Sequence, residues 1–330
     1  MTLQKESAQA RQDPRRQAAA RWASQAMKLD SIDLAPVSGD ASFRRYFRFV
    51  ANGRSVILMD APPEKEDSSP FIDIAGRLRQ ASLKAPDVIA FDLQQGFGLL
   101  EDFGDTLYRE LISEQTADSL FPELFDVLNG MARRVSTGGL PLFDEAALER
   151  ELDLFRTWYL ERHRKRPMTG KELAAWRSIC RLLTSSALEQ PQVFVHKDFH
   201  SCNLLRTAGG PGIIDFQDGL IGPVSYDFIS LVWDRYVPWP RQRIENWMRE
   251  VYELFPLDCS FEQWIRYCDW MALQRNLKIV GIFARLWHRD SKQGYVEMIP
   301  RFYQYLLDVL PRYPEFDEFL QLLEQDQCAP

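Results

Sequence analysis

His196-Lys197-Asp198-Phe199-His200-Ser201-Cys202-Asn203 spells H-x-D-x-x-x-x-N, and Asp215 follows twelve residues after Asn203. A short apolar stretch, Val193-Phe194-Val195, leads into the first group, and a second, Gly212-Ile213-Ile214, is expected to carry Asp215 at its end. Two carboxylates and an amide so spaced suit metal-assisted phosphoryl transfer. The transferred group passes through a loose transition state, so the protein chiefly positions reactants and stabilises charge. An attacking hydroxyl must lose its proton, and a loop carboxylate able to take it contributes about 10²–10⁴-fold. Asp198 is the candidate base. A nucleoside triphosphate brings Mg²⁺, which prefers oxygen ligands and keeps several waters. Asn203 and Asp215 are the candidate ligands. The bland alternative is a hairpin with polar turn residues. His196 reads as a packed support for the loop. His200 either faces the phosphate or shapes the turn.

Ahead of this constellation the chain reads as mostly β. Residues 15–30 are Ala-, Arg- and Gln-rich without Gly, which predicts a helix. Phe43 to Val50 is dense in aromatics, as strands are. Asn52-Gly53 is the strongest short hairpin signal, and Ser55 to Asp60 reads as the returning strand, stopped by Pro62-Pro63. Phe71 to Leu83 has a helical period. Pro86 to Leu93 and the segment after Gly96 read as further strands. From Leu107 onward the pattern is helical, apart from the two short apolar stretches. A β-rich lobe followed by a helical lobe is an α+β arrangement, with the join expected near Glu101–Gly104, so residues 1–103 and 104–330.

Composition narrows the function. The 330 residues are 45% hydrophobic and 26% charged, with a net charge of −7. Acidic and basic residues are interspersed, which disfavours nucleic acid as a partner. No run approaches the roughly 18–20 apolar residues of a spanning helix, and the N-terminal residues lack the apolar core of a secretory signal. Five cysteines, an odd number without a C-x-x-C pair, argue against a disulfide framework or structural zinc. A cytoplasmic monomer is expected.

The catalytic segment Val195 to Leu205 resembles the catalytic loop of the aminoglycoside phosphotransferase/choline kinase family. Ile213-Ile214-Asp215-Phe216-Gln217 resembles that family's metal-binding segment, and Gly222 to Leu231 its following helix start, where Asp227 would brace the loop. The resemblance covers about residues 20–310 and implies a two-lobed, protein-kinase-like fold that uses ATP and Mg²⁺. Ser38-Gly39-Asp40-Ala41-Ser42 resembles the phosphate-covering turn, whose backbone N–H groups approach the nucleotide. Leu100-Glu101-Asp102-Phe103-Gly104 resembles the adenine-contacting hinge, with Glu101 and Phe103 as candidate contacts. One departure stands out. Kinases of this kind usually carry a lysine on the strand here occupied by Ser55 to Asp60, where this chain has Met59. Arg44, Arg45 or Arg48 is then the candidate phosphate cation, with Arg45 carried among the ATP contacts. No glutamate partner for such a cation is evident.

Gly39 to Arg48, Asp215 to Gly219 and Gln274 to Leu286 are similar to bacterial anomeric sugar kinases that recycle cell-wall amino sugars. This implies an amino-sugar substrate phosphorylated at C1, and makes His200, Gln217, Asp218, Arg275 and Asn276 candidate sugar contacts. A lactyl carboxylate would want an arginine fork, for which Arg275 or Arg285 could serve. The plain reading of 274–289 is a helix with a solvated polar face. Two rivals remain at this level: a kinase for an amino alcohol or aminoglycoside, with Asp218, Asp234, Glu245 and Asp269 as an acidic pocket, and a kinase-shaped binding module without turnover.

Overall fold

The computed structural model describes residues 13–37, 43–255 and 257–327. The chain separates into two compact units, Met1–Leu107 with Leu204–Asp218, and Tyr108–Asn203 with Gly219–Pro330. Fifteen residues just after the catalytic segment thus group with the first unit. The α+β class follows from the contents of each.

The first unit is built on a five-stranded antiparallel sheet, β1 (Ala35–Val37), β2 (Arg45–Ala51), β3 (Arg54–Asp60), β4 (Val88–Asp92) and β5 (Phe97–Glu101), in the order β1-β2-β3-β5-β4. β2 and β3 pair from Arg45↔Asp60 to Ala51↔Arg54. The two residues between them, Asn52 (φ 50°) and Gly53 (φ 76°), are both left-handed. That is the requirement of a type I′ turn, whose twist matches the flanking strands. Helix α1 (Pro14–Met27) is N-capped by Asp13, whose carboxylate accepts Arg16 N–H at 3.0 Å. It sinks Ala19 and Ala23 into a core with Phe47, Phe49, Leu58 and Leu99. Helix α2 (Ser69–Gln80) buries Phe71, Ile74, Ala75 and Leu78.

In the second unit, α3 (Tyr108–Leu111), α4 (Ala117–Arg134) and α5 (Glu145–Leu154) precede a π-helical segment, Phe155–His163, and α6 (Gly170–Glu189). Strand β6 (Gln192–Val195) follows. Hairpin strands β7 (Leu204–Thr207) and β8 (Gly210–Ile213) belong to the first unit. Strand β9 (Leu220–Pro223), α7 (Tyr226–Val232), α8 (Arg241–Leu254), α9 (Phe261–Asp290), α10 (Ile299–Val309) and α11 (Asp317–Gln327) complete the chain. α9 is the axle of its unit, packing on α5, α6, α7, α8, α10 and the π-helical segment. Gly281 permits the closest of these approaches: a Cβ there would lie 2.3 Å from the Leu154 carbonyl carbon. Among the described residues no helix is long and apolar enough to cross a membrane.

The bland hairpin alternative falls and one expectation changes. The apolar stretches around the motif are not partners of one another: β6 pairs with β9 and β8 with β7. In β7 and β9 the apolar pattern is broken by Arg206-Thr207 and by Gly222-Pro223. Asp215 lies beyond its strand, two residues after β8 ends at Ile213, at φ 63°.

Candidate active site

Strand β6 ends at Val195 and delivers the H-x-D segment as a tight loop. Asp227, in the first turn of α7, accepts the backbone N–H groups of His196 at 2.6 Å and Lys197 at 3.1 Å. Burial pushes the Asp227 carboxyl up to about 7, against the pull of those two donors. Lys197 sits at φ 75°, a costly backbone for a side chain with a Cβ. It is held there from two sides, by Asp227 on its N–H and by Glu151 on its ammonium at 2.8 Å. His196 is fully buried, and its Nδ1 accepts Asp198 N–H at 3.2 Å. Asn203 Nδ2 donates to the Asp198 carbonyl at 3.0 Å, and Asn203 N–H to the His200 carbonyl at 2.9 Å. The loop is therefore closed by its own polar groups, and the Asp198 carboxylate is the part not used in closing it.

Cations surround that carboxylate. Burial alone would raise the Asp198 pKa. The charge of Lys278, joined by that of Arg275, outweighs burial and leaves it below the usual carboxylate value. Lys278 comes from α9, donates to Tyr226 Oη at 3.0 Å and shares Glu151 with Lys197, at 3.2 Å. Burial, tempered by Asp234 and Asp198, lowers the pKa of His200, which favours the neutral ring. Arg275, one turn before Lys278, donates to Ser230 Oγ at 2.8 Å. Its other terminal nitrogen, His200 Nδ1 and both amide atoms of Asn276 are buried without a hydrogen-bond partner among the described residues. Buried polar atoms left so are costly and suit a polar ligand. Sequence reasoning missed Glu151 and Lys278. An isolated acid in a helix, and a lysine in an otherwise apolar stretch of α9, look like solvated charges until the packing is known.

In the first unit, Asp215 is exposed, and its Oδ1 accepts Gln217 Nε2 at 3.0 Å. Arg44 NH1 lies 4.0 Å from Asp215 Oδ1. The three candidate arginines separate clearly. Arg45, the one carried among the ATP contacts, is tied to Asp13 and Asp60, and Arg48 to Asp102 and Asp105. Arg44 is the one turned toward Asp215, with its side chain 2% exposed. It is ion-paired with Glu66, just ahead of α2, a glutamate invisible to a search within helices. Met59 is fully buried. Glu101 pairs with Lys84 at 2.6 Å, and Phe103 covers Gly212, where a Cβ would meet its ring at 2.6 Å. Asp218 is exposed. The turn Ser38-Gly39-Asp40-Ala41-Ser42 lies outside the described residues.

The structure thus gathers Asp198, Asn203, His196, His200, Asp227 and Arg275 within the second unit, and Asp215, Gln217 and Arg44 within the first.

Residues 33–252 match the family model described as a phosphotransferase enzyme family. The chain is 45% identical over 301 residues to a Pseudomonas aeruginosa protein named N-acetylmuramate/N-acetylglucosamine kinase, covering 90% of this chain and 89% of that one. A Neisseria meningitidis protein of the same name is 35% identical, with 88% and 90% covered. Among solved structures, a choline kinase from Streptococcus pneumoniae superposes with a TM-score of 0.61 at 13% identity, covering 86% of this chain and 96% of that one. The ADP-bound aminoglycoside phosphotransferase APH(2'')-Ib gives 0.60 at 14%, covering 88% and 98%. At such low identity these two show the kinase-like fold alone. The family match and the relatives' identity across most of the chain carry the assignment: the chain belongs to the phosphotransferase enzyme family.

Proposed function

We propose that the chain is an ATP-dependent kinase that phosphorylates the anomeric C1 hydroxyl of N-acetylmuramate and N-acetylglucosamine, amino sugars of the bacterial cell wall. The observation that carries it is 45% identity across 90% of the chain to a kinase named for those two sugars. Asp198 is the base, kept ionised by its surrounding cations, and takes the C1 hydroxyl proton as the hydroxyl oxygen bonds the γ-phosphorus and the bridging oxygen leaves with ADP. An anomeric hydroxyl is more acidic than an ordinary alcohol, so one carboxylate suffices. Mg²⁺ supplies charge neutralisation when bound. Asp215 and the Asn203 side-chain oxygen are the suited donors, since Asn203 Nδ2 already serves Asp198. Mg²⁺ usually takes one or two protein carboxylates beside phosphates and water, so the lack of a three-residue ligand cluster among the described residues is in keeping with its use. Arg44, braced by Glu66, stands in for the missing strand lysine as the phosphate cation.

Three of the four acids that would favour an amino acceptor are already engaged, and the fourth, Asp218, is exposed. Asp269 is bound by Arg241 and Tyr313, Glu245 by Arg241 and Arg312, and Asp234 by the Ser201 hydroxyl. The test is ATP consumption with Mg²⁺ against N-acetylmuramate, N-acetylglucosamine, choline and kanamycin, with phosphorus NMR of the products. An anomeric sugar phosphate is expected. Phosphate on a choline or kanamycin hydroxyl, or ATP binding with no turnover, would overturn the reading.

A further inference from the structure

One small pocket in the second unit lies beside the loop that carries Asp198. Its lining includes Ser201, Asp234, Trp239, Arg109 and Tyr236. Ser201 is three residues from Asp198, and its hydroxyl donates to Asp234. Asp234 also accepts Arg235 N–H, at 2.5 Å, so its carboxylate is turned inward and used. The segment carrying Arg235 and Tyr236 is fixed from behind. Arg301 donates to the carbonyls of both, at 2.6 and 2.9 Å, and Tyr305 Oη to the carbonyl of Asp234 at 3.0 Å. In front, the Cys202 thiol meets Tyr236 Oη at 2.9 Å.

Two guanidinium groups lie over the Tyr236 ring, those of Arg109 and Arg235, each 5.1 Å from its centroid. Neither is ion-paired with a carboxylate among the described residues. Two cations brought to one ring on a braced backbone can both hold a single anion placed between them. A guanidinium edge binds a carboxylate in a fork, and a pre-fixed fork loses little freedom in doing so. The arginines that the sequence offered for this task both lie on α9. Arg275 is turned inward onto Ser230, and Arg285 lies ten residues further along α9.

We propose that Arg109 and Arg235, meeting over Tyr236 beside the Ser201–Asp234 pair, bind the lactyl carboxylate of N-acetylmuramate and set the preference between the two sugars. This rests on the sugar-kinase reading above. N-acetylglucosamine has the same ring and acetamido group but no lactyl ether, so it serves as the internal comparison.

The experiment is steady-state kinetics of the full chain with each sugar, for the wild type, Arg109→Gln, Arg235→Gln and the double variant. Losing a charge-assisted hydrogen bond should lower the ratio of kcat/KM for N-acetylmuramate over N-acetylglucosamine on the order of tenfold to a hundredfold. Added salt should raise the wild-type KM for N-acetylmuramate selectively, and the double variant should lose that selectivity. Equal losses on both sugars would mean a structural role for the arginines, and an unmoved ratio would mean no role; either overturns the proposal. Arg109 is exposed, so Arg109→Gln keeps the test open even where Arg235→Gln fails to fold. If the wild type phosphorylates neither sugar, the sugar-kinase reading falls and this inference falls with it. If it phosphorylates both and the ratio stays fixed, this inference alone is lost.

Discussion

Asp198 is a carboxylate whose neighbours decide its charge. Burial opposes ionisation, and Lys278 contributes the largest opposing pull. Asp198→Asn keeps the shape and removes the proton acceptor. We expect kcat to fall about 10²–10⁴-fold while nucleotide affinity, read by isothermal titration, changes little; a near-normal rate would remove Asp198 from the base role. The sign of the pH dependence follows from the same arrangement. Because the folded pKa is depressed, Asp198 stays ionised as pH falls, until the medium is more acidic than about pH 4. Lys278→Met leaves burial unopposed by its main cation, so the pKa rises and the acid limb of the kcat profile moves to higher pH. An acid limb that stays in place would show that Lys278 does not act on Asp198.

At the scale of elements, α9 brings its partners together by close backbone approach. Gly281 faces the Leu154 carbonyl where α5 gives way to the π-helical segment. Gly281→Ala gains up to about 1 kcal/mol of helix propensity, yet its Cβ cannot fit at 2.3 Å from backbone. Overpacking of this kind typically costs about 1–3 kcal/mol, so the variant should unfold at lower denaturant concentration in a urea titration. A midpoint unchanged or raised would mean that the helices part without cost. Glu151, also on α5, reaches Lys197 and Lys278 from the same helix, so displacement here should also reach the catalytic loop.

At the scale of the molecule, each unit holds part of the proposed site, Asp215 and Arg44 in one and Asp198 and Asn203 in the other. Ligand binding reads out on the stability of the whole. A ligand at a hundred times its Kd stabilises by about 2.7 kcal/mol, so Mg²⁺ with ATP should raise the Tm of the wild type and of Asp198→Asn. Asp215→Ala should lose the Mg²⁺-dependent part of that rise. Retention of the full Mg²⁺-dependent shift in differential scanning fluorimetry would remove Asp215 from the metal role.

The sequence alone determined what local chemistry determines. The H-x-D-x-x-x-x-N spacing marked a loop that the structure closes with its own polar groups, Asn52-Gly53 marked a hairpin because two consecutive left-handed residues favour Asn and Gly, and apolar periodicity marked the β-rich and helical regions. It could not rank Arg44, Arg45 and Arg48, because the choice depends on which acids lie nearby: Asp13, Asp60, Glu66, Asp102 and Asp105 come from four separate stretches of chain. Strands β7 and β9 escaped notice because Arg206-Thr207 in one and Gly222-Pro223 in the other break the apolar pattern, and their pairing decides them. Glu151, Lys278, Arg109 and Arg235 were equally unreadable. A charged residue on a helix or loop has the same local pattern whether it is solvated or turned into a site, and only the tertiary structure decides what it faces.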